Sequence, residues 1–148
     1  MDKKDLIRFF DLFGIEKERI DFFLQDKSLV EKNGHIFLRE EDLDDDVVYE
    51  DYLLFITLQK ILPSRFLLEQ VRELGGACAF VKSEQAALMF TYGKDVFEQH
   101  LENGDSLSLE KQYLLFFEDS LLGYGQLRKE NGTLLFRPLM NIGEYLRE

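Results

Sequence analysis

Residues 80–94, FVKSEQAALMFTYGK, place the end of a strand, a capped helix and a glycine stop within one short stretch. Phe80 and Val81 end an apolar run that favours a strand. Ser83 is a helix cap, because its hydroxyl can accept a hydrogen bond from a backbone N–H of the first turn. Gly93 is suited to the left-handed conformation that ends many helices. The stretch therefore predicts a strand, a short helix whose inner face carries Ala86, Ala87, Met89 and Phe90, and a turn.

The sequence after this stretch has the pattern of short strands and turns that is typical of a small β domain. Turn signals recur at intervals of about ten residues, which is typical of a barrel or sandwich. Asn131 and Gly132 form the strongest short hairpin signal. Gly123 and Gly125 lie inside a strand pattern and indicate a bulge or a close packing point. Strands are predicted at residues 95–97, 112–118, 122–129 and 133–137.

The sequence before this stretch combines helices with a small sheet. Apolar residues spaced three and four apart predict a helix from Lys3 to Phe13, and a second helix follows Gly14. Asn33-Gly34 predicts a hairpin. Residues 47–62 carry both strand and helix patterns, and we expect a strand followed by a helix there. Ser64 can cap a further helix that ends at Gly75-Gly76, where we place the boundary between domains 1–75 and 76–148.

The charge balance is strongly acidic. The chain has 148 residues, with 18 Lys and Arg against 29 Asp and Glu, which gives a net charge of −11. This charge repels a polyphosphate backbone at long range. The repulsion is weaker after Gly75, where the net charge is −4 against −7 before it. The acidic run at residues 40–46 lacks the spacing of an EF-hand and is expected to be a solvated loop.

Composition also indicates where the protein works. Apolar runs such as residues 77–81 are far shorter than the roughly 20 residues that cross a bilayer, so no membrane span is expected. The charged start of the chain is unlike a secretory signal. The single cysteine, Cys78, cannot form an intramolecular disulfide and lies in an apolar strand pattern, which favours a buried structural role. We expect an intracellular protein.

Catalytic motifs are weak. A nucleophilic triad would need His35 or His100 as its base, and both occupy positions typical of a surface histidine. A zinc site needs about four Cys or His ligands, and the sequence offers three, Cys78, His35 and His100, scattered along the chain. The glycine-rich phosphate-binding motifs do not occur. We therefore expect no enzymatic activity, no metal and no cofactor.

Three segments carry a family resemblance. They are residues 80–94 with their Phe-x-Tyr-Gly, residues 122–125 with Leu-Gly-Tyr-Gly, and residues 141–147, Asn-Ile-Gly-Glu-Tyr-Leu-Arg. In this order they resemble a PUA domain, and in particular the ribosome-assembly factors of the nuclear import protein seven family. The resemblance implies an α+β fold, with an N-terminal α+β domain followed by a C-terminal PUA-type β pseudo-barrel with short helices. Its motif and turn residues are Tyr92, Gly93, Gly123, Gly125 and Gly143.

The resemblance also implies a function. It predicts a non-enzymatic factor in ribosome biogenesis that binds an rRNA precursor through the PUA domain and contacts other ribosome-assembly proteins through the N-terminal domain. We expect a monomer, cytoplasmic in a prokaryote and nuclear or nucleolar in a eukaryote. Tyr92 and Tyr145 could stack on bases, but barrel core is the favoured interpretation. The candidate RNA-binding residues are Lys94, Arg128, Lys129, Arg137 and Arg147.

An alternative hypothesis is an acidic protein–protein adaptor that keeps the PUA fold with little RNA binding of its own. The net charge favours it, and so does an aromatic face on the first two helices. The same aromatic residues can equally form domain core, which we favour. They are Phe9, Phe10, Phe13, Phe22 and Phe23.

Overall fold

The computed structural model describes residues 2–40, 52–56 and 61–141. It divides into two compact units. The first comprises Met1–Asp11 and Ile15–Gly75, and the second comprises Leu12–Gly14 and Gly76–Glu148.

Two helices open the first unit. Helix α1 spans Lys3–Leu12 and α2 spans Lys17–Leu24. Asp2 caps α1, because its carboxylate accepts a hydrogen bond from the backbone N–H of Asp5 at 3.1 Å. The Asp5 carboxylate in turn accepts a hydrogen bond from the backbone N–H of Asp2 at 3.1 Å. The predicted apolar spacing is confirmed, since it buries Leu6 and Phe10 on α1 and Ile20 and Leu24 on α2.

A four-stranded antiparallel sheet follows in chain order. Its strands are β1 (Lys27–Lys32), β2 (His35–Glu40), β3 (Tyr52–Ile56) and β4 (Ile61–Pro63). The predicted hairpin between β1 and β2 is confirmed, with positive φ angles of 54° at Asn33 and 79° at Gly34. Both angles fit the primed turn that matches strand twist.

The ambiguous segment is strand where the structure describes it. The expected strand is confirmed at β3, but the expected helix is wrong at Ile61 and Leu62, which lie in β4 and pair with β3. Pro63 can end β4 because this strand lies at the sheet edge, where a missing N–H costs no ladder hydrogen bond. Residues 41–51 and 57–60, including most of the acidic run, lie outside the described residues.

Helix α3, Arg65–Glu73, closes the first unit. The Ser64 hydroxyl accepts a hydrogen bond from the Leu67 N–H at 3.1 Å, which confirms the predicted cap. Leu67, Leu68 and Val71 are buried, and Gly75 adopts a φ of 90° just after the helix. Among the described residues, no helix has the length and apolar character needed to cross a membrane.

The second unit contains a five-stranded mixed sheet in the order β5-β7-β8-β9-β6. Strand β5 (Cys78–Phe80) runs parallel to β7 (Gln112–Phe117), and the other pairs are antiparallel. The remaining strands are β6 (Val96–Phe97), β8 (Ser120–Glu130) and β9 (Thr133–Asn141). Helix α4 (Glu84–Thr91) follows β5, and two short 3-10 turns, Glu98–His100 and Gly104–Ser106, follow β6.

One face of this curled sheet forms the core with α4. Ala86, Ala87 and Phe90 of the helix pack against Leu115, Leu127 and Phe136 of the strands. The ring centroids of Phe90 and Phe136 lie 6.1 Å apart. Cys78 is half-buried, and its thiol donates to the Gly76 carbonyl. The fold is therefore α+β with a C-terminal half-barrel, as the sequence predicts.

Gly123 and Gly125 lie where β8 and β9 change register. The pairing shifts between Tyr124 and Gly125. A side chain at Gly123 would collide with the Met140 carbonyl, and one at Gly125 with the Arg137 carbonyl. The predicted close packing point is confirmed. Strand β9 extends past its predicted end at Arg137, because Pro138 lies beside this bulge, where a strand tolerates proline.

Candidate nucleic-acid interface

The carboxyl end of α4 is fixed by a Schellman motif. The Gly93 N–H donates to the Phe90 carbonyl at 2.9 Å, and the Lys94 N–H donates to the Met89 carbonyl at 3.0 Å. Gly93 has a φ of 80°, the left-handed value that this motif requires and that the sequence predicts. The backbone on both sides of Gly93 is therefore held in one conformation.

Tyr92 projects from this rigid end into solvent. Its side chain is 75% exposed, so the interpretation of Tyr92 as barrel core is wrong. The helix buries Ala86, Ala87 and Phe90, and Tyr92 lies off that face. Leu88, one turn earlier, is 48% exposed, so the two residues form an exposed apolar strip at i and i+4.

Lys94 lies beside Tyr92 and is also exposed. A Cβ on the intervening Gly93 would lie 4.0 Å from the Asn141 side-chain amide, which places this corner next to the carboxyl end of β9. Within the described part of the chain, Lys94 makes no ion pair. Its charge is available to a ligand at this corner.

Arg128 and Lys129 are exposed near the other end of β8 and β9. They pair with Leu135 and Leu134, close to the Asn131-Gly132 hairpin, whose positive φ angles confirm the predicted turn. Successive strand residues point to opposite faces of a sheet. The two cations therefore flank the hairpin from opposite sides.

Arg137 is held by carboxylates. Its guanidinium donates to Asp95 at 3.2 and 3.3 Å and to Glu130 at 3.4 Å. The hydrogen bond to Asp95, together with the negative charges of both carboxylates, raises the pKa of Arg137 above its ordinary value. The side chain is about one-third exposed, and much of its charge is neutralised by these two partners.

The candidate cations thus lie at separate places on the unit. The Tyr92–Lys94 corner lies near Asn141, whereas Lys129 is opposite Leu134. Asn141 and Leu134 are seven residues apart on β9, which corresponds to roughly 20 Å along the strand at about 3.3 Å per residue. Arg137 lies between them. Gly143, Tyr145 and Arg147 lie outside the described residues.

The second unit contains a cleft whose lining is acidic, so binding of a polyanion there is unfavourable. Its volume is about 370 Å³, and its lining includes Glu98, Glu102 and Asp105 with the single cation Lys82. Phe97, 44% exposed, also lines it. A phosphate backbone would be repelled by these carboxylates.

The aromatic residues of the first two helices do not form a single exposed face. Phe10 is fully buried and meets the edge of Phe23 at 5.8 Å between ring centroids. Phe13 is also buried and contacts Tyr124 within the second unit. Phe22 is 79% exposed, and Phe9 and Phe23 are half-buried. The core interpretation therefore holds for Phe10 and Phe13.

Comparison with known proteins finds a family model that resembles the second unit. Residues 78–148 match the family model described as the UPF0113 PUA domain. The matched region begins at β5 and includes α4 and the whole five-stranded sheet. No curated protein matches the chain. Over these residues the C-terminal unit is similar to a PUA domain, and the narrower resemblance to the nuclear import protein seven family stays a prediction.

Proposed function

We propose that this PUA-domain protein binds structured RNA, catalyses no reaction, and acts as a factor in ribosome biogenesis. The observation that carries the proposal is the match of residues 78–148 to a PUA domain, a type of fold associated with RNA binding. The exposed cations Lys94, Arg128 and Lys129 on this unit support it, since phosphate contacts supply most of the sequence-independent affinity for nucleic acids.

The acidity of the chain limits the expected affinity. The net charge of −11 opposes a polyanion, and Arg137 is already neutralised by Asp95 and Glu130. A few cations must therefore supply the phosphate contacts, and recognition must rest on RNA shape, loops and 2′-hydroxyls. We infer weak binding that strengthens when assembly proteins, bound by the N-terminal unit, hold the chain on a precursor particle.

Salt titration tests the RNA-binding proposal. The purified chain is titrated with structured rRNA fragments and with unrelated folded RNA of equal length, from low to physiological salt. Three phosphate contacts predict a log–log slope of about −2 to −3. A saturable preference for one rRNA fragment supports a role in ribosome biogenesis. Equal affinity for all folded RNAs would limit the function to general RNA binding.

A charge-matched pair of variants locates the binding surface. We expect the triple variant Lys94→Glu, Arg128→Glu, Lys129→Glu to lose binding. The control is Lys4→Glu, Arg8→Glu, Lys17→Glu, which makes the same charge change at exposed positions of the first unit. Equal loss in both variants would mean that the net charge of the protein, and not these three cations, governs the affinity for RNA.

The adaptor alternative predicts the opposite result. An adaptor would show no RNA binding even at low salt and would keep stable protein partners in native extracts. Its main structural support was an aromatic face, and the burial of Phe10 and Phe13 weakens that support. We therefore favour RNA binding.

A further inference from the structure

We propose that Tyr92 is a stacking platform for one unpaired nucleotide, and that Lys94 contacts the phosphate next to that nucleotide. This inference rests on the proposed RNA binding and narrows its ligand to RNA with an unpaired base beside a folded element. The observation behind it is an exposed aromatic ring and an exposed cation, held on either side of Gly93 at one rigid helix end.

The exposure of Tyr92 fits a binding role better than a packing role. A tyrosine ring offers a large, flat contact surface with few rotatable bonds, so little conformational entropy is lost when a ligand covers it. At 75% exposed, nearly the whole ring is accessible. Leu88 extends the apolar surface beside it, so a base stacked on Tyr92 would also cover part of Leu88.

The Schellman motif orders the backbone that carries Tyr92 and Lys94 before any ligand binds. The N–H groups of Gly93 and Lys94 are bonded to the Phe90 and Met89 carbonyls, and the Tyr92 N–H donates to the Leu88 carbonyl at 3.1 Å. Because the backbone is ordered before binding, a ligand does not have to offset its ordering entropy. The two side chains therefore project from a backbone whose conformation is already set.

Electrostatics favours a base, and not a phosphate, over the ring. The carboxyl end of a helix carries a partial negative charge, which disfavours an anion directly at α4. A neutral base avoids this repulsion. The adjacent phosphate can reach the ammonium group of Lys94, which offers three N–H donors on a flexible stem. The stack of a base on Tyr92 would tolerate any base, and the contact of Lys94 with the phosphate would weaken as salt increases.

Two RNA ligands separate this inference from general RNA binding. One is an rRNA hairpin with a single-stranded loop, and the other is a fully paired duplex of the same length. We expect Tyr92→Ala to weaken binding to the looped RNA by about 5- to 150-fold, the range for loss of one aromatic–base stack. Binding to the duplex should change by less than about twofold.

Matched variants identify the chemical basis of the effect. Tyr92→Phe keeps the ring and should retain affinity for the looped RNA, whereas Tyr92→Leu keeps only apolar bulk and should lose it. Phe22→Ala removes an equally exposed ring from the first unit and should change nothing. A 2-aminopurine at the unpaired position should be quenched by the wild type and by Tyr92→Phe, but not by Tyr92→Ala.

The outcomes distinguish failure of the stack from failure of the function. If Tyr92→Ala binds looped RNA like the wild type while Lys94→Glu, Arg128→Glu, Lys129→Glu loses binding, the stack is wrong and RNA binding stands. Equal losses on looped and paired RNA, or full affinity in Tyr92→Leu, would also overturn it. Loss of a copurifying protein with unchanged RNA affinity would assign Tyr92 to a protein partner. If the wild type binds neither RNA, the proposed function itself fails.

Discussion

At the residue scale, Arg137 shows how partners decide what a charged side chain can do. The sequence presents it as one more candidate phosphate ligand. In the fold, it lies next to Asp95, 42 residues away, and donates two hydrogen bonds to that carboxylate. Sequence spacing could not reveal this pair, because β6 and β9 become neighbours only when the sheet forms.

Releasing Arg137 from its carboxylates should strengthen RNA binding. The variant Asp95→Asn, Glu130→Gln removes both negative partners and leaves the guanidinium available. We expect tighter binding and a salt slope steeper by about one phosphate contact. Glu98→Gln, Asp105→Asn makes the same charge change in the acidic cleft and should leave the slope unchanged. Equal slopes in the two variants would show that Arg137 does not reach RNA.

The pKa of Arg137 makes this prediction independent of pH across the usual assay range. Its neighbours raise the pKa of Arg137 in the wild type, and an arginine without such neighbours is still protonated at neutral and moderately alkaline pH, so the group is charged in the wild type and in the variant. A cation whose folded-state pKa is raised contributes stability below the unfolded-state pKa and loses it only as pH rises through the folded-state value. A change in the salt slope at mildly alkaline pH would therefore have to come from another group.

Gly123 should be the least replaceable glycine of the β8–β9 pair. It has a φ of 146°, and an added Cβ would lie 2.8 Å from the Asn141 Cα and collide with the Met140 carbonyl. We expect Gly123→Ala to lower the free energy of unfolding by roughly 3 kcal/mol or more, from backbone strain and overpacking together. Chemical denaturation, followed by circular dichroism, measures the change.

Gly132 provides the matched control for that prediction. It also has a positive φ, 81°, but nothing lies within 4 Å of an added Cβ. Gly132→Ala should therefore cost only the conformational strain, about 1 to 2 kcal/mol. Similar losses for the two variants would mean that the backbone at Gly123 relaxes and that the close approach is not a constraint.

At the element scale, local signals predicted most of the structure. Ser64 and Ser83 both cap helices, Asn33-Gly34 and Asn131-Gly132 both form hairpins, and Gly93 ends α4 as expected. Each of these depends on a few neighbouring residues and their own hydrogen bonds, so a single sequence is enough to identify it.

The failures at this scale come from tertiary context. Ile61 and Leu62 follow a helix-like spacing, yet they belong to β4 because β3 offers a strand edge for pairing. The sequence favours Tyr92 as barrel core, but its exposure depends on how α4 packs on the sheet. Local propensity is overruled by pairing with the neighbouring strand β3 in the first case and by packing of α4 on the sheet in the second.

The cap of α4 should stabilise the element that carries Tyr92. The Ser83 hydroxyl accepts a hydrogen bond from the Ala86 N–H at 3.2 Å. We expect Ser83→Ala to lower the free energy of unfolding by about 1 kcal/mol, whereas Ser83→Asp should preserve the cap. Hydrogen exchange of the α4 amides measures the effect. Equal protection in the wild type and Ser83→Ala would show that packing alone holds the helix.

At the scale of the whole molecule, chain order and structural units do not coincide. The domain boundary drawn at Gly75-Gly76 leaves out Leu12–Gly14, which group with the second unit. The Ala77 N–H donates to the Phe13 carbonyl at 2.9 Å, and the Phe13 ring lies 5.6 Å from the Tyr124 ring. No composition shift marks residues 12–14, because their role depends on contacts across more than 60 positions.

Phe13 should consequently stabilise the second unit from outside the region that matches the family model. Its side chain is 1% exposed, so Phe13→Ala should cost roughly 3 to 5 kcal/mol and lower hydrogen-exchange protection in β7 and β8. Phe22→Ala removes the same atoms from a ring that is 79% exposed and should stay within about 0.5 kcal/mol of the wild type. If Phe13→Ala leaves β8 protected, the β sheet does not depend on residues 12–14. Loss of protection in β8 would instead mean that the matched region does not form a stable fragment by itself, because it lacks the Phe13 ring that packs on Tyr124.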